Sequence, residues 1–308
     1  MTDAAFTHCR ASDGTRLAVR SFPAEGTGPV VLLLHGIASH MGWYSGMASE
    51  LQSRGISMYL FDRRGVARSE GTRAHARTWT VLVDDVTCMA RDIAQRHPSQ
   101  PLHGMGISLG GAIVTATAIR HPELFRSLAL ISPALASTVR MPLWRRVTTL
   151  GRAFITPTRL QNLPFGVAQL TGNLKWREVL ERDPRRTRQV SARFMLEFLR
   201  LQRFIRRNLA RVNGPVLAFF GAMDEIIDNE RSIALLNGMH GAMVHIEVFE
   251  TVTHLLSASI PRRQLAERLA IWFKGDVGSE TERFSLLRTV LSHPATDNDE
   301  PPVLDDGD

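Results

Sequence analysis

Short runs of consecutive apolar residues alternate along this chain with stretches in which apolar positions recur every three or four residues. The segments 30–34, 57–61, 102–106, 128–131 and 216–220 read as strands, and the wholly apolar ones among them, 30–34, 128–131 and 216–220, have the composition of strands buried on both faces. The segment 244–249 alternates instead, as a strand covered on one side does. Ahead of them, 6–10 and 15–22 flank Asp13-Gly14, a turn pair that predicts an opening hairpin. Helical spacing appears at 45–53, 79–96, 112–120, 229–239 and 262–273. Strand and helix in alternation over this length predict an α/β fold, a doubly wound and mostly parallel sheet covered on both faces.

The alternation stops between 136 and 212, where no strand-like run is visible. Because this stretch interrupts two core strands, the economical expectation is an inserted helical cap. Its last part, 184–211, carries Val190, Phe194, Phe198, Leu201, Phe204, Ile205 and Leu209 at helical intervals, which predicts one amphipathic helix. The expected organisation is a core from 1–135 and 213–274, a cap at 136–212 and a C-terminal region at 275–308. In that last region 282–291 has helical spacing, and from Ala295 onward Asp, Asn, Pro and Gly predict an acidic disordered tail.

Charge sharpens this division. The chain carries 37 Lys and Arg against 30 Asp and Glu. Residues 137–212 alone hold 17 of the basic side chains and 4 of the acidic ones, whereas 275–308 hold 9 acidic residues and 2 arginines. The basic cap admits two readings, contact with anionic lipid headgroups or an anionic substrate, and a solvated arginine-rich face. Opposite charges also suggest that the tail screens the cap. Nucleic acid is disfavoured as a partner because no recognition motif accompanies the charge. Two cysteines, Cys9 and Cys88, cannot make a disulfide framework or a zinc site. No apolar run reaches the roughly 18 residues of a membrane span, and the first residues show no signal-peptide pattern. The expectation is a cytosolic protein with no cofactor.

Candidate chemistry lies at strand ends. Gly106-Ile107-Ser108-Leu109-Gly110 fits G-x-S-x-G between a strand and a helix, the context of a nucleophile elbow. The order serine, acid, histidine is then met by Asp224, just after the apolar run 216–220, and by His254, just after 244–249. Asp228 and Glu225 are rival acids, but Asp224 comes first after Gly221. His240 and His245 are rival bases, one preceding the strand and one inside it. The run 30–34 ends in His35-Gly36-Ile37, so the Ile37 N–H can join that of Leu109 as an oxyanion hole. His35 and His40 are expected to shape that loop, and Asp62, Arg63 and Arg64 to form a loop-stabilising charge cluster. The Gly-rich elbow is not a phosphate cradle, since no G-K-[ST] follows.

With these elements in place, the chain resembles the α/β-hydrolase superfamily, and within it the monoacylglycerol lipase and lysophospholipase branch. The resemblance rests on His35 to His40, Phe61 to Gly71, the elbow, Gly221 to Asp224 and Thr253-His254, over about residues 10–274. Two positions depart from that branch. Its usual Gly-His-Gly reads Gly65-Val66-Ala67 here, and Leu255 stands where a glutamate often follows the histidine. The resemblance implies a monoacylglycerol or lysophospholipid ester as substrate, with Ser108 as nucleophile, His254 as base and Asp224 as its orienting acid. A thioesterase or acyltransferase on the same fold, or a ligand-binding protein without turnover, are the alternatives.

Overall fold

The computed structural model describes residues 6–138, 143–239, 241–275 and 301. In chain order its strands are β1 (Phe6–Arg10), β2 (Arg16–Phe22), β3 (Val30–Leu34), β4 (Ser57–Phe61), β5 (Leu102–Ile107), β6 (Leu128–Ile131), β7 (Leu160–Asn162), β8 (Gln189–Ser191), β9 (Val216–Gly221) and β10 (Val244–Phe249). The helices are α1 (Ser45–Gln52), α2 (Trp79–Arg96), α3 (Leu109–Arg120), α4 (Leu143–Ile155), α5 (Val167–Leu170), α6 (Leu174–Arg182), α7 (Ala192–Asn208), α8 (Asn229–Asn237) and α9 (Arg262–Lys274).

Eight strands form one sheet in the order β1-β2-β4-β3-β5-β6-β9-β10. Only β2 runs antiparallel to its neighbours; the other pairs are parallel. The five segments from 30–34 to 216–220 are its central strands, and every residue of β3, β4, β5, β6 and β9 is buried. Such strands need helices on both faces. Here α1 packs with α9, and α2 with α3. The register between β9 and β10 ends at Gly221 opposite Phe249, so the two following loops leave the sheet at the same level.

Between β6 and β9 lie α4 to α7 and the β7–β8 ribbon. Backbone bonds are among the contacts that tie this insertion to the core. The N–H of Thr187 donates to the Ala38 carbonyl at 3.0 Å, and that of Ser191 to the Ala74 carbonyl at 3.0 Å. Helix α7 packs against α2, α3 and α4, with Trp79 stacked on Phe204 at 4.5 Å between ring centroids.

Three expectations need correction. The stretch 136–212 does contain strands, since β7 and β8 pair antiparallel from Leu160 opposite Ser191 to Asn162 opposite Gln189. Three residues are too few for a period-2 signal. The last cap helix begins at Ala192 and not at 184, because Ser191 caps it by accepting from the Phe194 N–H at 3.1 Å. Val190 therefore belongs to β8. Finally, α3 starts at Leu109 and not at 112, its two glycines held helical by burial on all sides. Among the described residues no helix is long and apolar enough to cross a membrane. The helix expected at 282–291, the tail from Ala295 and His240 lie outside the described residues.

Candidate functional site

The carboxyl ends of the parallel strands carry the candidate groups, as open α/β sheets dispose their sites. Ser108 is the residue between β5 and α3, and its φ of 54° and ψ of −117° lie in a region that non-glycine residues rarely occupy. The tight turn requires bare backbone around it. A Cβ on Gly106 would sit 2.5 Å from the Gly111 Cα, and one on Gly110 2.1 Å from the Leu34 carbonyl oxygen. Backbone bonds hold the strain in place: the Ser108 N–H donates to Ile131, and its carbonyl accepts from Ala112 and Ala134.

Asp224 and His254 come together from the loops after β9 and β10. The Nδ1–H of His254 donates to Asp224 Oδ2 at 2.7 Å, with the acid's side chain wholly buried and the imidazole 6% exposed. The other carboxylate oxygen of Asp224 accepts from the N–H groups of Ile226 and Ile227 at 2.8 and 2.9 Å. Both oxygens are thus fixed, and the proton on Nδ1 leaves Nε2 as the basic nitrogen. The rival residues are engaged elsewhere. Asp228 caps α8 and pairs with Arg231. Glu225 is exposed. His245 faces Glu247 at 3.2 Å on β10.

Ser108 and His254 line one cavity together with Ile37, Ala38, Phe165, Leu170 and Leu255. Leu255, at the position where the resemblance leads one to look for glutamate, is buried and apolar there. Leu109, as the first residue of α3, contributes one of the first-turn N–H groups that a helix cannot pair internally.

The Ile37 N–H is oriented from below. His35 Nδ1–H and an Arg63 guanidinium N–H both donate to the Gly36 carbonyl, at 2.8 and 3.0 Å, and Arg63 also reaches the Ile37 carbonyl at 3.2 Å. In a trans peptide the carbonyl and the following N–H point in opposite directions. Holding the Gly36 oxygen therefore turns the Ile37 N–H away from the guanidinium. His35 Nε2 accepts from the Arg63 N–H at 3.1 Å, which fixes a neutral ring. Burial pushes the His35 imidazole well below its ordinary pKa, in keeping with that neutral state. Burial also lowers Arg63 to about 10, still cationic at neutral pH.

The expected Asp62-Arg63-Arg64 cluster divides into three separate jobs. Asp62 is buried, which raises its pKa, and it accepts from the N–H groups of Met41 and Arg68. Arg63 clamps the loop beside Ser108. Arg64 turns away to Asp85 on α2 and to Asp13, at 2.6 and 2.8 Å. His40 also leaves the loop: its Nδ1 accepts from the Gly42 N–H, so its Nε2–H donates to Asp183 in the insertion at 2.9 Å. Trp43 Nε1–H donates to the same Asp183 oxygen at 2.6 Å. Burial opposes ionisation of Asp183, but the bonds from His40 and Trp43 outweigh it and hold the carboxyl down at about 2. Sequence alone offered no signal for the Arg63 clamp or the Asp183 contact, since neither follows from local spacing. Among the described residues no group of three or more His, Cys, Asp or Glu is gathered as a metal site.

Comparison with known proteins places the family and the fold. The sequence profile of the family described as serine aminopeptidase, S33, matches residues 27–258. A monoacylglycerol lipase of Mycolicibacterium smegmatis is 26% identical over 255 residues, spanning 79% of this chain and 87% of that protein. The human monoglyceride lipase is 24% identical over 256 residues, spanning 82% and 84%. The solved structure of a soluble variant of Saccharomyces cerevisiae monoglyceride lipase, bound to a substrate analogue, superposes with a TM-score of 0.72 at 18% identity, covering 96% of this chain and 97% of that one. The fold they share is that of the α/β-hydrolases.

Proposed function

Because this chain belongs to the serine aminopeptidase S33 family of hydrolases, we infer that it cleaves carboxylic esters with a single hydrophobic acyl chain. Ser108 attacks the ester carbonyl as His254 Nε2 takes its proton, and Asp224 fixes the imidazole tautomer and stabilises the imidazolium. The N–H groups of Ile37 and Leu109 receive the charge of the tetrahedral intermediate. His254 then protonates the leaving alcohol, and water repeats the cycle on the acyl-enzyme, releasing the acid. Residues 136–212 act as the cap that shapes the acyl and alcohol sites.

The observation that carries this reading is the buried Asp224–His254 bond opening onto the cavity that Ser108 and Ile37 also line. An aminopeptidase would have to hold a substrate ammonium, for which a carboxylate is the matching partner. The residues lining this cavity include no Asp or Glu. They suit the uncharged carbonyl and acyl part of an ester, in line with the lipases that the chain resembles. Labelling by a fluorophosphonate probe tests the nucleophile: wild type labels and Ser108→Ala does not. No labelling of well-folded wild type would defeat it. Hydrolysis of monoacylglycerols, lysophospholipids and p-nitrophenyl esters of graded length would then define the substrate.

The cap also supports contact with lipid. Helix α4 leaves Val147, Leu150, Phe154 and Ile155 exposed, at 62, 50, 62 and 82%. Their spacing places them along one side of a helix set in a basic segment, the pattern of an interfacial element that meets anionic bilayers.

A further inference from the structure

The cavity beside Ser108 continues in two directions through different walls. On one side it shares Tyr44, Ile107 and Leu255 with a narrow cleft whose other walls include Met47, Met105 and Leu265. That side is almost wholly apolar. On the other side it shares Ala38, Phe165 and Leu170 with a cavity of about 180 Å³ under the insertion, lined also by Arg186, Thr187 and Arg188. One end therefore offers hydrocarbon and the other two arginine residues.

The cationic end is built into the scaffold. The Thr187 N–H, between the two arginines, donates to the carbonyl of Ala38, the residue after Ile37. The Arg188 carbonyl accepts from the Leu163 N–H at 3.0 Å, and one Arg188 guanidinium N–H donates to the Glu181 carbonyl at 2.6 Å. Arg186 keeps a buried Nε with no hydrogen-bond partner among the described residues. An anion in the cavity would supply the acceptor that this buried donor lacks. Burial, and next the like charge of Arg188, hold Arg186 below its ordinary proton affinity against the pull of Glu181 and Asp183. Neither Asp183 nor Glu181 is among the residues lining this cavity. Guanidinium groups are the side chains that match phosphate oxygens in a planar, forked geometry.

We propose that Arg186 and Arg188 form an anion subsite in the cap that selects single-chain esters whose alcohol carries a phosphate. The acyl chain lies in the apolar arm, the carbonyl sits at Ser108, and the phosphate reaches the arginine arm. This deepens the ester-hydrolase reading and depends on it only for the direction in which the substrate lies.

Two soluble esters, used below their micelle-forming concentrations, remove any effect of binding to a lipid surface: 1-hexanoylglycerol and 1-hexanoylglycerol 3-phosphate. Wild type is expected to turn over the phosphate ester with a kcat/KM at least tenfold higher. Arg186→Gln should remove that preference by raising KM at unchanged kcat, while leaving the uncharged ester within twofold, which also shows that the variant is folded. Arg186→Lys should restore part of the preference. Equal rates for the two esters in wild type, or an equal loss on both in the variant, would overturn the proposal. Calorimetry with Ser108→Ala separates the subsite from the chemistry. Tighter binding of the phosphate ester, lost on adding Arg186→Gln, upholds the subsite even if neither ester is cleaved, and the failure is then that of the hydrolase reading. Inorganic phosphate binding as tightly as the ester would mark a free-phosphate site and overturn the headgroup assignment.

Discussion

His40 and Asp183, 143 positions apart in the chain, meet at 2.9 Å with both side chains buried. One belongs to the loop that follows Ile37 and the other ends α6, so this bond fastens the insertion to the core beside the candidate site. Asp183→Asn keeps the shape but removes the charge that both His40 and Trp43 address. A hydrogen bond to a charged partner contributes about 1.5–3 kcal/mol. Urea unfolding followed by tryptophan fluorescence should show a loss in that range, and an unchanged midpoint would show that the contact holds nothing.

The same carboxyl sets an acid limit. Its pKa in the folded chain, about 2, lies below its ordinary value of 3.8. The stabilisation is therefore complete above about pH 4 and is lost as pH falls through about 2, for a total of about 2 kcal/mol. Between those limits the stability of wild type should fall more steeply with acid than that of Asp183→Asn. Parallel curves would remove Asp183 as the cause.

Arg63 should matter to rate more than to binding. Arg63→Gln withdraws the donor from the Gly36 and Ile37 carbonyls and frees the peptide plane that aims the Ile37 N–H. Misplacement of a stabilising group by about 1 Å can cost about 10²-fold. Steady-state kinetics on a soluble ester should show a fall of that order in kcat with KM little changed. A rise in KM alone would assign Arg63 to substrate binding instead.

The exposed side of α4 gives a prediction about surfaces. Phe154→Ser with Ile155→Ser removes two apolar anchors, each able to contribute roughly 1.5–3 kcal/mol when buried. Co-sedimentation with anionic vesicles should fall sharply, and hydrolysis of a soluble short ester should not. Equal vesicle binding by the double variant would remove α4 as the contact.

Crowding at the elbow can be tested by adding one methyl group. Gly110→Ala would place a Cβ 2.1 Å from the Leu34 carbonyl oxygen. The backbone of β3 cannot yield cheaply, so a loss of about 1–3 kcal/mol or more is expected in chemical denaturation. Wild-type stability would mean that the turn has room to relax.

These residues also show where reading the chain succeeds. Central strands such as β3 and β9 were legible because burial on both faces forces unbroken apolar runs, and Ser108, Asp224 and His254 because each follows the end of a legible strand. The pairing of His254 with Asp224 and not Asp228 depended on strand ends, which sequence marks well. The insertion was legible only as an interruption. Its ribbon pairs Leu160 with Ser191 over three residues, too short for a period, and α7 is displaced from the expected span because Ser191 caps it. Contacts such as His40 with Asp183, or Arg63 with Gly36, join residues whose spacing carries no periodic signal.

The pairing of β9 with β10 has a consequence for how activity and folding are joined. Gly221 opposite Phe249 fixes the starting points of both loops, so the spacing of acid and imidazole is inherited from strand alignment. Sliding β10 by two residues would preserve which side chains face inward and yet carry His254 roughly 6–7 Å along the strand direction. A chain misaligned in that way would keep its inward and outward pattern while losing its chemistry, so turnover reports on correct alignment at this edge more sharply than secondary-structure content does.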